Sequence, residues 1–297
     1  MSEISAKVVM ELRAKTNAGM MDCKKALAEA GGDLDKAEEI LRKKGITKME
    51  KRVDRVSKEG MIHALLSECG KNAVLVEVNC ETDFVSKNES WRNFVGDIAT
   101  HTLNSSAPNL DALLAEPYTK GAGSVDEAVK VKGFETGEVN ILRRFTRFAA
   151  GETSAVATYL HLGGRIGVIV EVEAGRSGSL EADAFKALLK DLTMHIAAAN
   201  PECLDASEVP ADIIAKEKAI YAESDRLKGK PPAAMEGILN GMLKKFYSQI
   251  CLTEQGFIKN PDQSIADLVK ATGTALGDTL TIKRFARFAV GEEVKAA

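Results

Sequence analysis

The chain contains one unit twice, and this duplication constrains its fold more than any other feature. The segment Met61-Ile62-His63-Ala64-Leu65-Leu66 through Val74-Leu75-Val76-Glu77-Val78 returns as Ala155-Val156-Ala157-Thr158-Tyr159-Leu160 through Val168-Ile169-Val170-Glu171-Val172. The match runs on without a gap, pairing Gly96-Asp97-Ile98-Ala99-Thr100-His101 with Lys190-Asp191-Leu192-Thr193-Met194-His195. It closes with Arg144-Phe145-Thr146-Arg147-Phe148 against Arg284-Phe285-Ala286-Arg287-Phe288. Two copies of one unit meet similar folding demands, so a residue pattern found in only one of them needs a reason outside the fold.

Each repeat opens with two β-rich runs around a turn, Glu68-Cys69-Gly70-Lys71-Asn72 in the first and Leu162-Gly163-Gly164-Arg165 in the second, which predicts a hairpin. A helix is expected next, over about 91–103 and about 182–199, ended near Pro108 and Pro201. The Arg-Phe-x-Arg-Phe runs alternate with period two and read as strands that pair either within their own repeat or with the other. The expected class is α+β, a duplicated core with small antiparallel sheets. About 43 residues separate His101 from Arg144, and about 89 separate His195 from Arg284. Two helical stretches account for most of the excess, roughly 211–227 and 233–249, joined at Gly229-Lys230-Pro231-Pro232. Ile213, Ile220 and Leu227 on one and Met235, Ile238, Met242 and Phe246 on the other form stripes suited to an antiparallel helical hairpin. Those stripes can be satisfied internally or by a second copy, so the hairpin is also a candidate homodimer contact.

The first 45 residues read as three short helices. Ser5 caps the first, Asn17-Ala18-Gly19 breaks it, the second spans about 21–30, and Asp33 caps a third that stops at Gly45. A basic connecting segment covers about 46–59. The boundaries are then 60–152 for the first repeat and 153–297 for the second, with the hairpin inserted at about 210–249.

A net charge of −3 and a pI near 6.0 give no global field to gather nucleic acid or anionic lipid. The start lacks a secretory pattern, no apolar run is long enough to span a bilayer, and a cytoplasmic location is expected. Cys23, Cys69, Cys80, Cys203 and Cys251 are odd in number and show no C-x-x-C, so neither a disulfide framework nor a metal site is indicated. There is no phosphate-binding glycine loop, and His63, His101, His161 and His195 lack ligand spacing; His101 and His195 occupy matching places in the repeats, which favours a structural role. No enzyme active site and no cofactor are expected. Arg143, Arg144, Arg147, Lys283, Arg284 and Arg287 with their phenylalanines could stack RNA, but their presence in both copies favours shared architecture. Direct nucleic-acid binding is therefore not expected, and an RNA-binding or ribosome-associated adaptor is the alternative reading. An adaptor acting through the N-terminal module alone is a further rival, though it would not need a duplicated core.

Where the first repeat has Thr82-Asp83-Phe84-Val85, the second has Arg176-Ser177-Gly178-Ser179, a solvated turn by composition. An acidic-aromatic pair present in one copy only points to a partner: the phenyl ring offers apolar area to bury, and the carboxylate can compete for a metal or a hydrogen-bond donor. Met20 and Met21, beside Gly19, cannot both face one side of a helix, and exposed thioethers suit a protein-binding surface.

The run from Leu12 to Leu27, with Thr16-Asn17-Ala18-Gly19-Met20-Met21-Asp22-Cys23 at its centre, and the run Glu77-Val78-Asn79-Cys80-Glu81-Thr82-Asp83-Phe84-Val85 resemble the two signature stretches of the bacterial translation elongation factor Ts family. The resemblance extends over essentially the whole chain. It implies an N-terminal UBA-like module, a duplicated core, a protruding helical hairpin, and a guanine-nucleotide exchange function on elongation factor Tu bound to GDP. It further implies that Asp83 and Phe84, within Thr82 to Val85, loosen the magnesium of the partner GTPase while Arg13, Met20 and Met21 dock on its nucleotide-binding domain. Against that pattern, no counterpart is expected here for the additional C-terminal helix with which some relatives cover the partner.

Overall fold

In the computed structural model the described residues are 4–16, 18–50, 57–224 and 231–293. Three helices come first: α1 (Ala6–Thr16), α2 (Met20–Glu29) and α3 (Leu34–Glu50). They close on Val9, Leu12, Cys23, Ala26, Leu27, Ala37 and Leu41, the apolar positions at helical spacing. Asp33 caps α3, its carboxylate accepting from the amides of Asp35 and Lys36 at 3.0 and 3.1 Å. The stop expected at Gly45 is absent, and α3 runs on to Glu50. Gly45 serves close approach instead: a Cβ there would lie 2.8 Å from Cγ of Phe134 in the first repeat. Phe134 packs on the three-helix core and Arg42 pairs with Glu127 at 3.0 Å, so α3 docks the module on the repeat. Asn17 and residues 51–56 of the basic connecting segment, Val53 and Val56 among them, lie outside the described residues.

The first repeat runs β1 (Glu59–Leu66), β2 (Asn72–Cys80), a one-turn helix α4 (Asp83–Ser86), α5 (Glu89–Asn104), α6 (Leu110–Ala115), α7 (Val125–Thr136) and β3 (Ile141–Ala149). The second runs β4 (Ser154–His161), β5 (Ile166–Ala174), a 3-10 turn (Ser177–Glu181), α8 (Asp183–Ala199), α9 (Ala211–Ala222), α10 (Pro232–Ile250), a short ribbon of β6 (Gly256–Phe257) and β7 (Asn260–Ser264), α11 (Ile265–Leu276) and β8 (Leu280–Ala289). The sheets are antiparallel with orders β1-β2-β3 and β4-β5-β8. Each Arg-Phe strand thus pairs with the hairpin of its own repeat. The register shifts once in each sheet, after Glu77 and after Glu171, at matching places. The last helices also match: α7 ends on Gly137 at φ 77° and α11 on Gly277 at φ 60°, the left-handed C-cap that favours glycine.

Period-two alternation distributes the strands' side chains between two faces. Val74, Val76 and Val78 face Trp91, Val95 and Ile98 of α5, and Val168, Val170 and Val172 face Phe185, Leu192 and Ile196 of α8. The opposite faces, carrying Ile62, Leu75 and Phe148 in one sheet and Val156, Ile169 and Phe288 in the other, meet in a third cluster. The repeats therefore stack sheet against sheet, with helices outside. Each such side chain contributes about 1.5–3 kcal/mol on full burial.

At the sheet–sheet seam the Arg-Phe runs interlock reciprocally. The Arg144 guanidinium lies 4.0 Å from the ring centroid of Phe288, and that of Arg284 lies 4.2 Å from Phe148. Arg144 donates to the Ala289 carbonyl, and Arg284 to the Ala149 carbonyl. Each arginine also pairs at 2.7 Å with the bulge carboxylate of its own sheet, Glu77 or Glu171. The remaining arginines are held too, Arg147 by the carbonyls of Thr102, Ser105 and Ala107 and Arg287 by that of Ala197. Basic-aromatic alternation in this chain builds the seam. The matching histidines are likewise structural: His101 bonds Thr119 and Glu116, and His195 bonds Gln255 and receives the Ile258 amide, with burial pushing its pKa down.

The inserted α9 and α10 contact each other, but not through the stripe expected on α9. Ile213 and Ile220 are exposed, and the inner positions are Ile214, Glu217 and Tyr221. Leu227 and the joint at 229–230 lie outside the described residues. At the root of the insertion the amides of Glu202 and Cys203 donate to the Ile250 carbonyl at 2.8 and 3.1 Å, so the two ends of the insertion are adjacent.

Two outcomes follow for stability. Glu77 is fully buried and its Arg144 only 15% exposed, whereas Arg284 beside Glu171 is 47% exposed. Glu77→Ala leaves the Arg144 guanidinium with Glu292 as its remaining carboxylate partner and strips the Gly291 amide of its acceptor, and should cost about 3 kcal/mol in chemical denaturation, clearly more than Glu171→Ala. Equal losses would show that the seam is solvated at both ends. Replacing 210–247 by a short Gly-Ser linker should leave one cooperative unfolding transition, because the ends already meet, α9 buries no residue, and Leu243 of α10 belongs to none of the main core clusters. Loss of cooperativity would place the insertion in the core.

Candidate functional site

Thr82, Asp83, Phe84 and Val85 form the first turn after β2, and the turn is rigidly based. The Glu138 carboxylate accepts from the amides of Glu81 and Thr82, both at 3.0 Å, and from the Thr82 hydroxyl. Glu81 returns the contact by accepting from the Val139 amide at 2.8 Å. Cys80 donates its thiol to the Thr82 carbonyl, and burial pushes that thiol up to about 12, which keeps it protonated. Val85 packs against the core of the first repeat. With both flanks tied and Ser86 buried, α4 projects Asp83 and Phe84 outward. Phe84 is 83% exposed, so it does not fold back over the hairpin. Asp83 faces Lys87 at 2.6 Å, whose hydrogen bond and charge hold its carboxyl below the usual carboxylate range.

The second repeat uses the same device with a different tip. Asp278, just past the C-cap of α11 as Glu138 is past that of α7, accepts from the Arg176 amide at 3.1 Å and the Ser179 hydroxyl at 2.6 Å. Gly178 stands where the first repeat has Phe84, and a Cβ at Gly178 would meet nothing within 4 Å. Both loops are therefore pinned by a carboxylate from the same position, and the aromatic ring is an addition to one of them. The carboxylate partners Glu138 and Asp278 were not picked out from the sequence; the Gly137-Glu138 and Gly277-Asp278 pairs at matching distances before the Arg-Phe strands were the available signal.

Arg13, Met20 and Met21 belong to the N-terminal module. Arg13 is exposed, and both methionines are exposed, at 50% and 64%, at the N-terminus of α2. Among the described residues none of the three is hydrogen-bonded to the Phe84 turn, so the module presents a separate apolar patch. Met10, 63% exposed on α1, was not among the expected residues, although its spacing of three puts it on one helix face with Arg13. Among the described residues no cluster of His, Cys, Asp and Glu could hold a metal ion, and no helix is long and apolar enough to cross a membrane.

The geometry separates the role of the ring from that of its support. Phe84→Ala should change stability by no more than about 0.5 kcal/mol. Glu138→Ala should instead loosen the turn, seen as faster amide exchange over 81–86. A large stability loss in the phenylalanine variant would show that the ring is packed in solution.

Residues 81–292 match the profile of the family described as Elongation factor TS. The chain is 41% identical to the Elongation factor Ts of Trichlorobacter lovleyi over 294 residues, covering 97% of this chain and 93% of that protein. It is 44% identical to that of Halorhodospira halophila, covering 97% and 92%, and 43% identical to that of Methylococcus capsulatus, covering 98% and 94%. With its duplicated α+β core matched nearly end to end, the chain belongs to the elongation factor Ts family of translation elongation factors.

Proposed function

We propose that the protein is a guanine-nucleotide exchange factor that binds elongation factor Tu carrying GDP and promotes GDP release, so that GTP can rebind during translation elongation in the cytoplasm. The observation that carries this reading is the exposed Phe84 beside Asp83 on a turn tied down at both flanks, in one repeat only. A ring kept in water at that position gains roughly 1.5–3 kcal/mol when a partner buries it. Because the turn is already ordered, little conformational entropy is lost on docking. The adjacent carboxylate, held ionised by Lys87, brings negative charge toward the partner's magnesium region. Arg13, Met20 and Met21, in the module at 1–45, act as a second point of attachment.

Exchange then follows from linkage. A protein that binds the nucleotide-free GTPase more tightly than its GDP form must weaken GDP by the same factor. No group on this chain needs to form or break a covalent bond, so it is not an enzyme in the usual sense and needs no cofactor of its own. The reading as an RNA-binding adaptor loses its main support, since Arg144 and Arg284 are engaged in the seam and Arg147 and Arg287 hold backbone carbonyls of their own repeats.

The test is release of fluorescent GDP from purified elongation factor Tu. The chain should accelerate release at catalytic amounts. Phe84→Ala should slow it roughly 30- to 150-fold at subsaturating factor, the equivalent of about 2–3 kcal/mol of differential binding. Raising magnesium should oppose exchange, and Asp83→Ala should reduce that opposition. No acceleration by the wild-type chain would refute the reading.

A further inference from the structure

The two most exposed large apolar side chains among the described residues are Phe84, at 83%, and Leu162, at 69%. They come from different repeats, yet the tip bearing Leu162 and the turn bearing Phe84 border one groove. That groove, of roughly 460 Å³, is lined by Glu59, Asp83, Lys87 and Arg92 from the first repeat and by Leu162 and Arg165 from the second.

The backbone at Leu162 is unusual as well. It occupies φ 50° at the tip of the β4–β5 hairpin, a left-handed conformation that a γ-branched residue seldom adopts and that glycine adopts freely. Gly163 and Gly164 follow with positive φ, so a third glycine would suit the turn better than leucine. The side chain that causes this mismatch buries little within the chain, so folding does not account for it. Nor is the tip loose. The Ile62 amide donates to the Gly164 carbonyl at 2.7 Å, Arg165 pairs with Glu59, and both terminal nitrogens of Arg92 on α5 donate to the Gly163 carbonyl at 3.3–3.4 Å. Among the described residues no carboxylate pairs with Arg92. Its visible work is to tie the helix that follows the Phe84 turn to the carbonyl next to Leu162.

We propose that Leu162 is a second apolar anchor for the same GTPase that takes Phe84, and that Arg92 is the positioning residue that sets the anchor relative to the wedge. This inference rests on the exchange-factor reading. The shared groove selects the occupant: a partner surface that covers Phe84 and approaches Asp83 meets Leu162 across the groove. Anchors held at fixed separation on rigid elements lose less entropy on binding than anchors on independent loops.

The test measures the affinity of elongation factor Tu by calorimetry alongside GDP release, using the full chain. Leu162→Gly should leave the melting temperature unchanged or raise it, because it relieves the left-handed leucine, while weakening binding about tenfold. Leu162→Asn, which tolerates the same backbone, should weaken binding similarly and guards against an altered tip conformation. Arg92→Gln should weaken binding in the wild-type background and add nothing in the Leu162→Gly background. Wild-type binding by both Leu162 variants, with Phe84→Ala impaired, would overturn the anchor and leave the exchange-factor reading intact. Wild-type behaviour of all three would overturn both. A fall in melting temperature in both Leu162 variants would assign the leucine to the fold and overturn the inference.

Discussion

The reciprocal pairing of Arg144 with Phe288 and of Arg284 with Phe148 is the constraint on which the rest of the structure depends. Two three-stranded sheets must each bury both faces, and neither can do so alone: one face is covered by its helices and the other requires the second repeat. A purely apolar seam would hold the sheets together but leave their relative position weakly specified. Each arginine instead lies on a ring of the opposite repeat while its Nε is held by a carboxylate of its own sheet. A guanidinium is planar, with donors in a fixed fork, so it can stack and pair at once only in a narrow range of positions. The two interactions together set the register of one repeat on the other. Glu77, fully buried, is tolerated because Arg144, Asn79 and the Gly291 amide all donate to it.

That seam determines the candidate site as well as the stability. It brings the β4–β5 tip against β1, so that a turn of the second repeat borders the Phe84 turn of the first. The same duplication supplies the site's support, since a carboxylate just past the last helix of each repeat pins the loop after the hairpin. The repeats differ at the tip, where one exposes an aromatic ring and the other a glycine. A rigid, duplicated frame with one altered tip is a direct route to a pre-ordered binding element.

Much of the fold was legible because the chain repeats itself. Both hairpins, the helices that follow them and the Arg-Phe strands came from period-two and helical spacing, and the two copies corroborated each other. The end of α3 was misplaced because a glycine was taken as a stop, when tertiary packing against Phe134 required its lack of a side chain. On α9, Ile213 and Ile220 satisfy helical spacing but stay exposed while Ile214, Glu217 and Tyr221 turn inward, because spacing names a face and not the element that covers it. The helix α7 carried an overlooked signal, since Ser124 and Glu127 form a capping box and Gly137 ends the helix.

Of the candidate site, the sequence by itself determined that Thr82 to Val85 belong to one repeat only and that Met20 and Met21 adjoin a helix start, because these are matters of residue type and position along the chain. It also determined that each repeat must bury two faces of a sheet. Only the tertiary structure decided that Phe84 points to water, that Glu138 holds its turn, that each Arg-Phe strand pairs within its own repeat, and that Leu162 stands across a groove from Asp83. Those facts join residues tens of positions apart in the chain. Their energies come from contacts formed only when the two sheets close on each other, and no local pattern encodes which of two chemically equivalent pairings gives the better-packed seam.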